Sequence, residues 1–267
     1  MKNRVLLFSI DGMRPDSLDA AATPNIDRLR EAGASTGRAR TVMPSVTLPC
    51  HLAMLRGVDV PRHGITSNQF QPLARPVPSL MDAAHAAGKK TGFFFNWEKL
   101  RDLSDPGNLD VLYMWRDCYS PEGDRRIAEA SAAHLGDLDF DVVFTYFGWT
   151  DECAHRTGWM SEPYLRAIEN ADACVGHVLA ANAALGRAEE TTVLLLSDHG
   201  GHGRSHGTDM EEDMRIPWVI AGPGVRQGCA LDGEVRIYDT CVTLAHVLGL
   251  EPSPEWDGRV VTEAFRG

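Results

Sequence analysis

The 267-residue sequence lacks several features that define common classes of protein. No stretch approaches the run of about 20 apolar residues that a membrane-spanning helix needs. Residues 1–10 lead to Asp11 too soon to form a signal peptide, so we expect a cytoplasmic protein that does not act at a membrane. The six cysteines include no CxxC pair, which argues against a zinc ribbon or a redox pair and favours buried free thiols.

An excess of positive charge is also absent. There are 26 Lys and Arg against 37 Asp and Glu, and the formal net charge is -11. Such a chain repels a phosphate backbone, which argues against binding to a nucleic-acid polymer through counterion release. A small anionic substrate would need help from bound cations, and two divalent ions would bring the formal charge from -11 to -7.

Short apolar runs alternate with amphipathic segments along the whole chain. The predicted strands are residues 5–10, 91–95, 141–147, 192–197 and 217–221. The predicted helices are residues 24–32, 79–87, 125–135, 163–185 and 238–248. Runs that are apolar at every position suit strands covered on both faces. We therefore expect one α/β domain over residues 1–267, with a mostly parallel central sheet sandwiched between helices.

Acidic residues follow three of the predicted strands. Asp11, Asp151 and Asp198 lie at or just beyond the strand ends, and histidines accompany two of them in Asp151-x-x-x-His155 and Asp198-His199. Ligands bind outside the carboxyl ends of strands in open α/β sheets, so these carboxylates are expected to converge. One such aspartate alone would more often be a helix cap or a turn residue. The combination with histidine predicts a metal site, since zinc and its neighbours bind Asp and His.

A further histidine, His206, and the segment 44–51 complete the candidate residues. The segment opens a predicted helix that runs to Gly57. A hydroxyl at a helix N-terminus, such as that of Thr47, is usually a cap. Next to a metal the same hydroxyl can lose its proton and act as a nucleophile, while the helix N-terminus attracts an anion. The residues alone leave both interpretations of Thr47 open.

Seven short motifs follow one another along the chain. They are SIDGMR (9–14), TPNID (23–27), TLPCH (47–51), RHGI (62–65), DECAH (151–155), SDHG (197–200) and HGTD (206–209). In this order they resemble the nucleotide pyrophosphatase/phosphodiesterase branch of the alkaline phosphatase superfamily, also called type I phosphodiesterases. The resemblance covers nearly the whole chain and implies an alkaline-phosphatase-like core with few insertions.

The resemblance implies two bound divalent metal ions, with zinc expected first and manganese or iron as alternatives. One ion would be held by Asp11, Asp198, His199 and the Thr47 oxygen. The other would be held by Asp151, His155 and His206. His202 competes for the last position, but the residues that follow His206 match the family pattern better.

Asn68 falls where phosphodiesterases of the family place an asparagine that hydrogen-bonds a phosphoryl oxygen. The alternative for Asn68 is an ordinary turn residue. We also expect the backbone N–H after Thr47, that of Leu48, to bind a non-bridging oxygen. Because Asn68 is neutral and residues 47–51 contain no arginine, the sequence favours phosphodiesters over phosphomonoesters.

The implied function is hydrolysis of a phosphodiester or pyrophosphate bond in a small phosphorylated substrate, through a phosphothreonine at Thr47. Three alternatives stay open: a carbon–phosphorus hydrolase such as phosphonoacetate hydrolase, a mutase such as phosphopentomutase, and a non-catalytic metal-binding module. A formylglycine sulfatase is disfavoured, because sulfatases need Cys or Ser at the position of Thr47 and usually Arg at that of His51. Cys50 also departs from the asparagine common in the family. No oligomeric state follows from the sequence.

Overall fold

An eight-stranded sheet, with helices on both faces, organises the chain. The computed structural model describes residues 2–73 and 75–266. Its strands are β1 (Arg4–Ile10), β2 (Ala34–Arg40), β3 (Thr91–Phe95), β4 (Val111–Met114), β5 (Val142–Phe147), β6 (Thr191–Leu196), β7 (Arg215–Ala221) and β8 (Cys229–Ala230). The strand order is β4-β3-β5-β1-β6-β7-β2-β8, and only the pairs of β7 with β6 and β2 are antiparallel. The predicted mostly parallel α/β fold is confirmed.

Ten α-helices connect or flank these strands within the described residues. They are α1 (Ser17–Ala20), α2 (Pro24–Ala32), α3 (Thr47–Arg56), α4 (Val60–His63), α5 (Leu80–Ala86), α6 (Pro121–Asp137), α7 (Trp149–Thr157), α8 (Glu162–Ala184), α9 (Glu211–Met214) and α10 (Asp239–Val247). Four 3₁₀ turns lie at Glu98–Asp102, Pro106–Asn108, Ala188–Glu190 and Thr262–Ala264. In this described part of the chain, every helix is too short or too polar to traverse a bilayer.

The centre of the sheet consists of β1, β5 and β6, in which every residue is buried. These strands are parallel, with Val5 opposite Val142 on one side and Thr192 on the other. One apolar cluster packs against each face of the sheet, which explains why the three strands have no polar alternation. Because the three strands run in the same direction, their carboxyl ends, and the acidic residues that follow them, lie at the same end of the sheet.

The elements that the apolar runs predicted are present, with ends shifted by a few residues. The largest change is in α6, which extends the predicted helix 125–135 at both ends. Strands β2, β4 and β8 were not predicted: β2 reads ASTGRAR, which is not an apolar run, and the apolar strands β4 and β8 have only four and two residues. All six cysteines are free thiols, as expected, and five are buried while Cys229 is half-buried.

Helix α7, which carries two of the predicted metal ligands, is held at its first residues by Asp124 of α6. The buried Asp124 Oδ1 accepts hydrogen bonds from Asn96 Nδ2 (2.8 Å), Gly148 N (3.1 Å) and Trp149 N (3.2 Å). It therefore joins the end of β3, the helix α6 and the start of α7. Burial raises the pKa of Asp124 to about 7, although these hydrogen bonds act in the opposite direction.

We expect Asp124→Asn to remove a component of the pH dependence of stability. The folded-state pKa lies above the unfolded value of about 3.9, so the contribution of Asp124 is fully present below pH 4 and is lost as the pH rises through 7. Over this interval the free energy of unfolding of the wild type should fall by up to about 4 kcal/mol relative to that of the variant. Urea denaturation at a series of pH values measures this difference, and parallel profiles would contradict it.

Candidate metal centre

The first cluster of predicted ligands is fully assembled at the carboxyl edge of the sheet. Asp11 follows β1, and Asp198 and His199 follow β6. His199 Nε2 lies 3.3 Å from Asp11 Oδ1 and 3.3 Å from Asp198 Oδ2, and all three side chains are buried. Sequence analysis placed these three residues in one site, and the structure brings them together.

The second cluster contains Asp151, His155 and His206. Asp151 and His155 are four residues apart on α7 and face the same way, with Asp151 Oδ2 3.2 Å from His155 Nε2. His206 Nε2 lies 3.8 Å from Asp151 Oδ1. The His206 ring also stacks on the His199 ring with 3.8 Å between their centroids, so the two clusters adjoin.

Gly12 lies between the two clusters. Its N–H donates to Asp198 Oδ1 over 3.1 Å, and its φ of +64° is in the left-handed region that glycine tolerates best. A Cβ at this position would lie 2.9 Å from Asp151 Oδ1. The glycine after Asp11 therefore allows Asp151 to approach the first cluster closely.

The three histidines share one hydrogen-bonding pattern, in which Nδ1 contacts a backbone carbonyl oxygen. The pairs are His155 with Arg204 (2.9 Å), His199 with Gly200 (2.8 Å) and His206 with Ser45 (2.8 Å). A carbonyl oxygen can only accept, so Nδ1 donates the hydrogen and a neutral ring keeps a lone pair on Nε2. Histidines that bind metals are commonly fixed in this way, and here each Nε2 faces a carboxylate.

Each cluster fits a divalent cation. One buried carboxylate oxygen of each aspartate in the two clusters accepts no hydrogen bond within the described residues: Asp11 Oδ1, Asp151 Oδ1 and Asp198 Oδ2. Buried charges without a partner are costly, and a cation would satisfy all three. The separations of 3.2 to 3.8 Å between donor atoms suit ligands with bonds of about 2.0–2.2 Å to one ion. Mixed Asp and His donors suit zinc, manganese or iron.

The pKa values of the residues in the first cluster apply to the protein without a bound cation. Burial, followed by the charges of Asp198 and Asp151, raises the pKa of Asp11 well above its usual range. Burial likewise raises the pKa of Asp198 to about 8, and it lowers that of His199 well below its usual range, with a further contribution from His206. Three carboxylates in so small a volume therefore require compensating positive charge to ionise together.

The second cluster already contains an ion pair. Burial opposes ionisation of Asp151, but its hydrogen bond with His155 and the charges of His206 and His199 bring the pKa below its usual value. The hydrogen bond with Asp151 raises the pKa of His155 to about 9. A cation at this cluster must displace the proton from His155, so its affinity will increase with pH.

Thr47 is the first residue of α3, and its hydroxyl Oγ1 lies 3.3 Å from His199 Nε2. The capping position is Val46, which has extended backbone and no side chain that could cap the helix. The interpretation of Thr47 as a helix cap is therefore wrong. Its hydroxyl is directed instead at the first cluster.

Asn68 lies beside Thr47 and accepts a hydrogen bond from the backbone N–H of Leu48 at Oδ1 (2.9 Å). The Leu48 N–H, which was predicted to bind a substrate oxygen, is donated to Asn68 in this structure. The same bond fixes the orientation of the amide. Only the Nδ2 group of Asn68 remains to donate to a ligand.

These residues line a cavity of about 120 Å³ between the two clusters. Four further lining side chains were not predicted: Trp97, Cys118, Tyr146 and Glu152. The Tyr146 hydroxyl donates to Asp11 Oδ2, so it supports a predicted ligand. Tyr146 lies in an apolar strand where an aromatic residue indicates core packing, and the sequence offered no signal for this role. No lysine or arginine is among the lining residues described.

A chain of polar contacts supports His206 and explains the position of His202. Ser45, whose carbonyl binds His206, donates its hydroxyl to the Thr208 carbonyl (2.7 Å). Asp213 accepts from Thr208 N (2.9 Å) and Thr208 Oγ1 (2.7 Å), and its other oxygen lies 2.7 Å from His202 Nδ1. His202 thus contacts Asp213, which also holds Thr208 in the loop that carries His206, whereas His206 faces Asp151. The roles of Ser45 and Asp213 were also missed.

Two further histidines, His51 and His63, are buried and belong to neither cluster. His51 Nδ1 donates to the Thr47 carbonyl (2.8 Å), and its Nε2 accepts from Ser9 Oγ (2.9 Å). Burial lowers the pKa of His51 to about 4, so the ring is neutral and anchors the first turn of α3. His63 Nδ1 accepts from Ile65 N over 3.1 Å.

Comparison with known proteins supports the same relationship. The family described as type I phosphodiesterase / nucleotide pyrophosphatase matches residues 5–216. Ectonucleotide pyrophosphatase/phosphodiesterase family member 1 of Rattus norvegicus is 26% identical over 215 residues, covering 73% of this chain and 24% of the relative. This chain thus spans about a quarter of that relative's length.

Solved structures show the shared fold. Murine ectonucleotide pyrophosphatase/phosphodiesterase 5, in an inactive form complexed with AMP, has a TM-score of 0.81 at 16% identity, covering 99% of this chain and 100% of that chain. The phosphonate monoester hydrolase of Agrobacterium radiobacter has a TM-score of 0.78 at 18% identity, covering 99% and 77%. At such low identities the similarity concerns the fold alone.

We expect metal-saturated wild-type protein to contain two ions per chain. His206→Ala should reduce the content to one ion, because it removes a donor from the second cluster only. The matched control is His202→Ala, which changes the neighbouring histidine of the same loop and should keep both ions. Elemental analysis after gel filtration measures the ratio. One ion in the wild type, or loss of an ion in His202→Ala but not in His206→Ala, would refute the assignment.

Proposed function

Because the chain belongs to the type I phosphodiesterase/nucleotide pyrophosphatase family, we propose that it is a two-metal hydrolase of phosphodiester or pyrophosphate bonds. The observation that carries the proposal is the position of the Thr47 hydroxyl. It lies 3.3 Å from His199 Nε2, in a cavity that both Asp/His clusters also line. A hydroxyl held between two cation sites suits nucleophilic attack on phosphorus.

The two clusters would hold the metals, Asp11, Asp198 and His199 one and Asp151, His155 and His206 the other. Divalent cations in such sites favour the ionised form of a nearby hydroxyl and neutralise charge on phosphoryl oxygens. Thr47 Oγ1 would also contact the first ion, as its distance from His199 suggests.

In the proposed reaction, the Thr47 oxygen forms a bond to phosphorus as the bond from phosphorus to the leaving oxygen breaks. The products of this step are a phosphothreonine that still carries the other ester group of the substrate, and an alcohol or phosphate leaving group that takes up the proton. A water molecule then attacks the same phosphorus, and the Thr47 oxygen leaves and recovers its proton. The net reaction consumes one water.

Asn68 would donate from Nδ2 to a non-bridging oxygen as charge develops there. The Leu48 N–H holds the amide in the orientation this requires, which takes the place of the direct contact expected from Leu48. The start of α3 adds partial positive charge near the phosphoryl group.

The substrate we propose is a small phosphorylated molecule, because the cavity measures only about 120 Å³ and the net charge of -11 opposes binding of a nucleic-acid polymer. We propose that residues 1–267 act as one catalytic domain, since the sheet uses strands from Arg4 to Ala230. Six free cysteines suit a reducing compartment such as the cytoplasm.

A substrate panel run with zinc, manganese and iron tests the proposed reaction. It contains chromogenic diesters and monoesters, dinucleotides with a pyrophosphate bond, and phosphonates whose carbon–phosphorus bond must break. Turnover of diesters or pyrophosphates supports the proposal. Turnover confined to carbon–phosphorus bonds, or none with metal-loaded protein, contradicts it.

The nucleophile can be tested with Thr47→Ala and Thr47→Ser. We expect Thr47→Ala to lower kcat about a thousandfold or more, because no other group replaces the attacking oxygen, while Thr47→Ser keeps part of the activity. Both variants should retain a wild-type Tm, since Thr47 does not cap α3. A Thr47→Ala protein that is about 1 kcal/mol less stable but fully active would instead support a capping role.

Diesters should be hydrolysed about tenfold or more faster than monoesters, measured as kcat/KM with p-nitrophenyl substrates. A monoester carries an additional charged oxygen, and no cationic side chain lines the cavity described here. Arg156, which follows the predicted ligand His155 in sequence, is a candidate cation for that oxygen. Its guanidinium group lies 5.3 Å from the centroid of the Trp149 ring and donates to the Tyr119 carbonyl. The control is Arg156→Ala, which should leave the ratio unchanged. A higher kcat/KM for the monoester that Arg156→Ala abolishes would overturn this prediction.

A further inference from the structure

Strand β4 leaves one edge of the sheet open. Among the strands described, it pairs with β3 alone, while the strand at the opposite edge, β8, has only two residues. Proteins usually protect edge strands by short length, proline or lysine. Strand β4 is short, but its four residues are Val, Leu, Tyr and Met, which include neither proline nor lysine. This edge therefore has the properties of one that pairs with another strand.

The backbone groups that point outward can be identified. Trp115 N–H donates to the Phe95 carbonyl of β3 over 3.1 Å, which continues the parallel register of β3 and β4. Because the direction of these groups alternates along a strand, the N–H and C=O of Leu112 and Met114 point away from β3. Two donors and two acceptors are thus available at the edge.

The side chains divide in the same alternating manner. Leu112 and Met114 are 39% and 40% exposed on one face of the sheet. Val111 and Tyr113 pack against the core on the other face. Trp115, directly after the strand, is 46% exposed. The open edge therefore carries three large apolar side chains.

We propose that β4 pairs antiparallel with β4 of a second copy of this chain, about a two-fold axis at Tyr113. In this register Leu112 and Met114 of opposite copies exchange both backbone hydrogen bonds, four in all. The facing pairs along the strand are Val111 with Trp115, Leu112 with Met114, and Tyr113 with itself. Every pair joins two apolar side chains, which is a pairing that stabilises neighbouring strands.

Two other two-fold registers would use the same outward-pointing backbone groups, but their side-chain pairs are less favourable. An axis at Leu112 would place Met114 opposite Asp110, and an axis at Met114 would place Leu112 opposite Arg116. Both would put an apolar side chain of β4 against a charged residue. The sequence around β4 is thus complementary to itself about Tyr113, which selects a second copy as the partner.

Sedimentation equilibrium of the wild type should show a dimer. Leu112→Lys/Met114→Lys places lysines opposite lysines and should raise the dissociation constant about tenfold or more. Leu112→Lys/Met114→Glu places each lysine opposite a glutamate and should restore the dimer. The matched control, Leu185→Lys, changes another exposed leucine (42%) and should leave the dimer intact. A monomeric wild type, or a dimer unaffected by the double-lysine change, would overturn the proposal.

A second measurement does not depend on how the lysine variants fold. Residue 113 would face itself in a pair without mutual hydrogen bonds, where Cα atoms lie about 4.5 Å apart and a disulfide can form. Tyr113→Cys should therefore give a covalent dimer on mild oxidation. Wild-type protein, with its six thiols, and Leu185→Cys should stay uncrosslinked. Failure of Tyr113→Cys to crosslink, or equal crosslinking of the controls, counts against pairing through β4.

Discussion

The free-energy cost of burying three carboxylates at the carboxyl ends of the strands determines how the rest of the site is arranged. Asp11, Asp151 and Asp198 each keep a buried oxygen that accepts no hydrogen bond within the described chain. These oxygens are buried, so compensation must come from a cation or a bound proton. The structure also directs Nε2 of three histidines at the same aspartates, which a shared proton would not require. We propose cation binding as the simplest reason for the whole arrangement.

The surrounding loops are arranged to keep those lone pairs in place. Ser45 fixes His206 through its carbonyl and lies only two residues before Thr47. The segment that presents the proposed nucleophile therefore also orients a predicted ligand of the second cluster. Asp213 stabilises the other side of this contact through Thr208. A displacement of either loop would change the position of the hydroxyl and the histidine together, so the two clusters are geometrically coupled.

Prediction from sequence succeeded where the signal was local. Continuous apolar runs identified β1, β3, β5 and β6, and the parallel direction of these strands then placed the acids that follow them at one edge. It failed where structure depends on distant contacts. Strand β2 carries exposed polar residues and exists because it pairs with β7 and β8. The hydrogen bond between Asn68 and Leu48, and the support of Asp11 by Tyr146, likewise join residues that no periodicity connects.

The charge distribution follows from the same constraint. A chain with a net charge of -11 would ordinarily repel a phosphate ester, and the cavity wall adds Glu152 without any basic side chain. In the proposed function, attraction for the substrate would therefore come from cations at the two clusters and from the amide groups of Asn68 and the start of α3. Since these sources would surround the phosphorus, binding energy would be concentrated at the reacting group. The rest of the substrate would meet neutral or acidic side chains, which favours an ester group over a second anionic oxygen at that position.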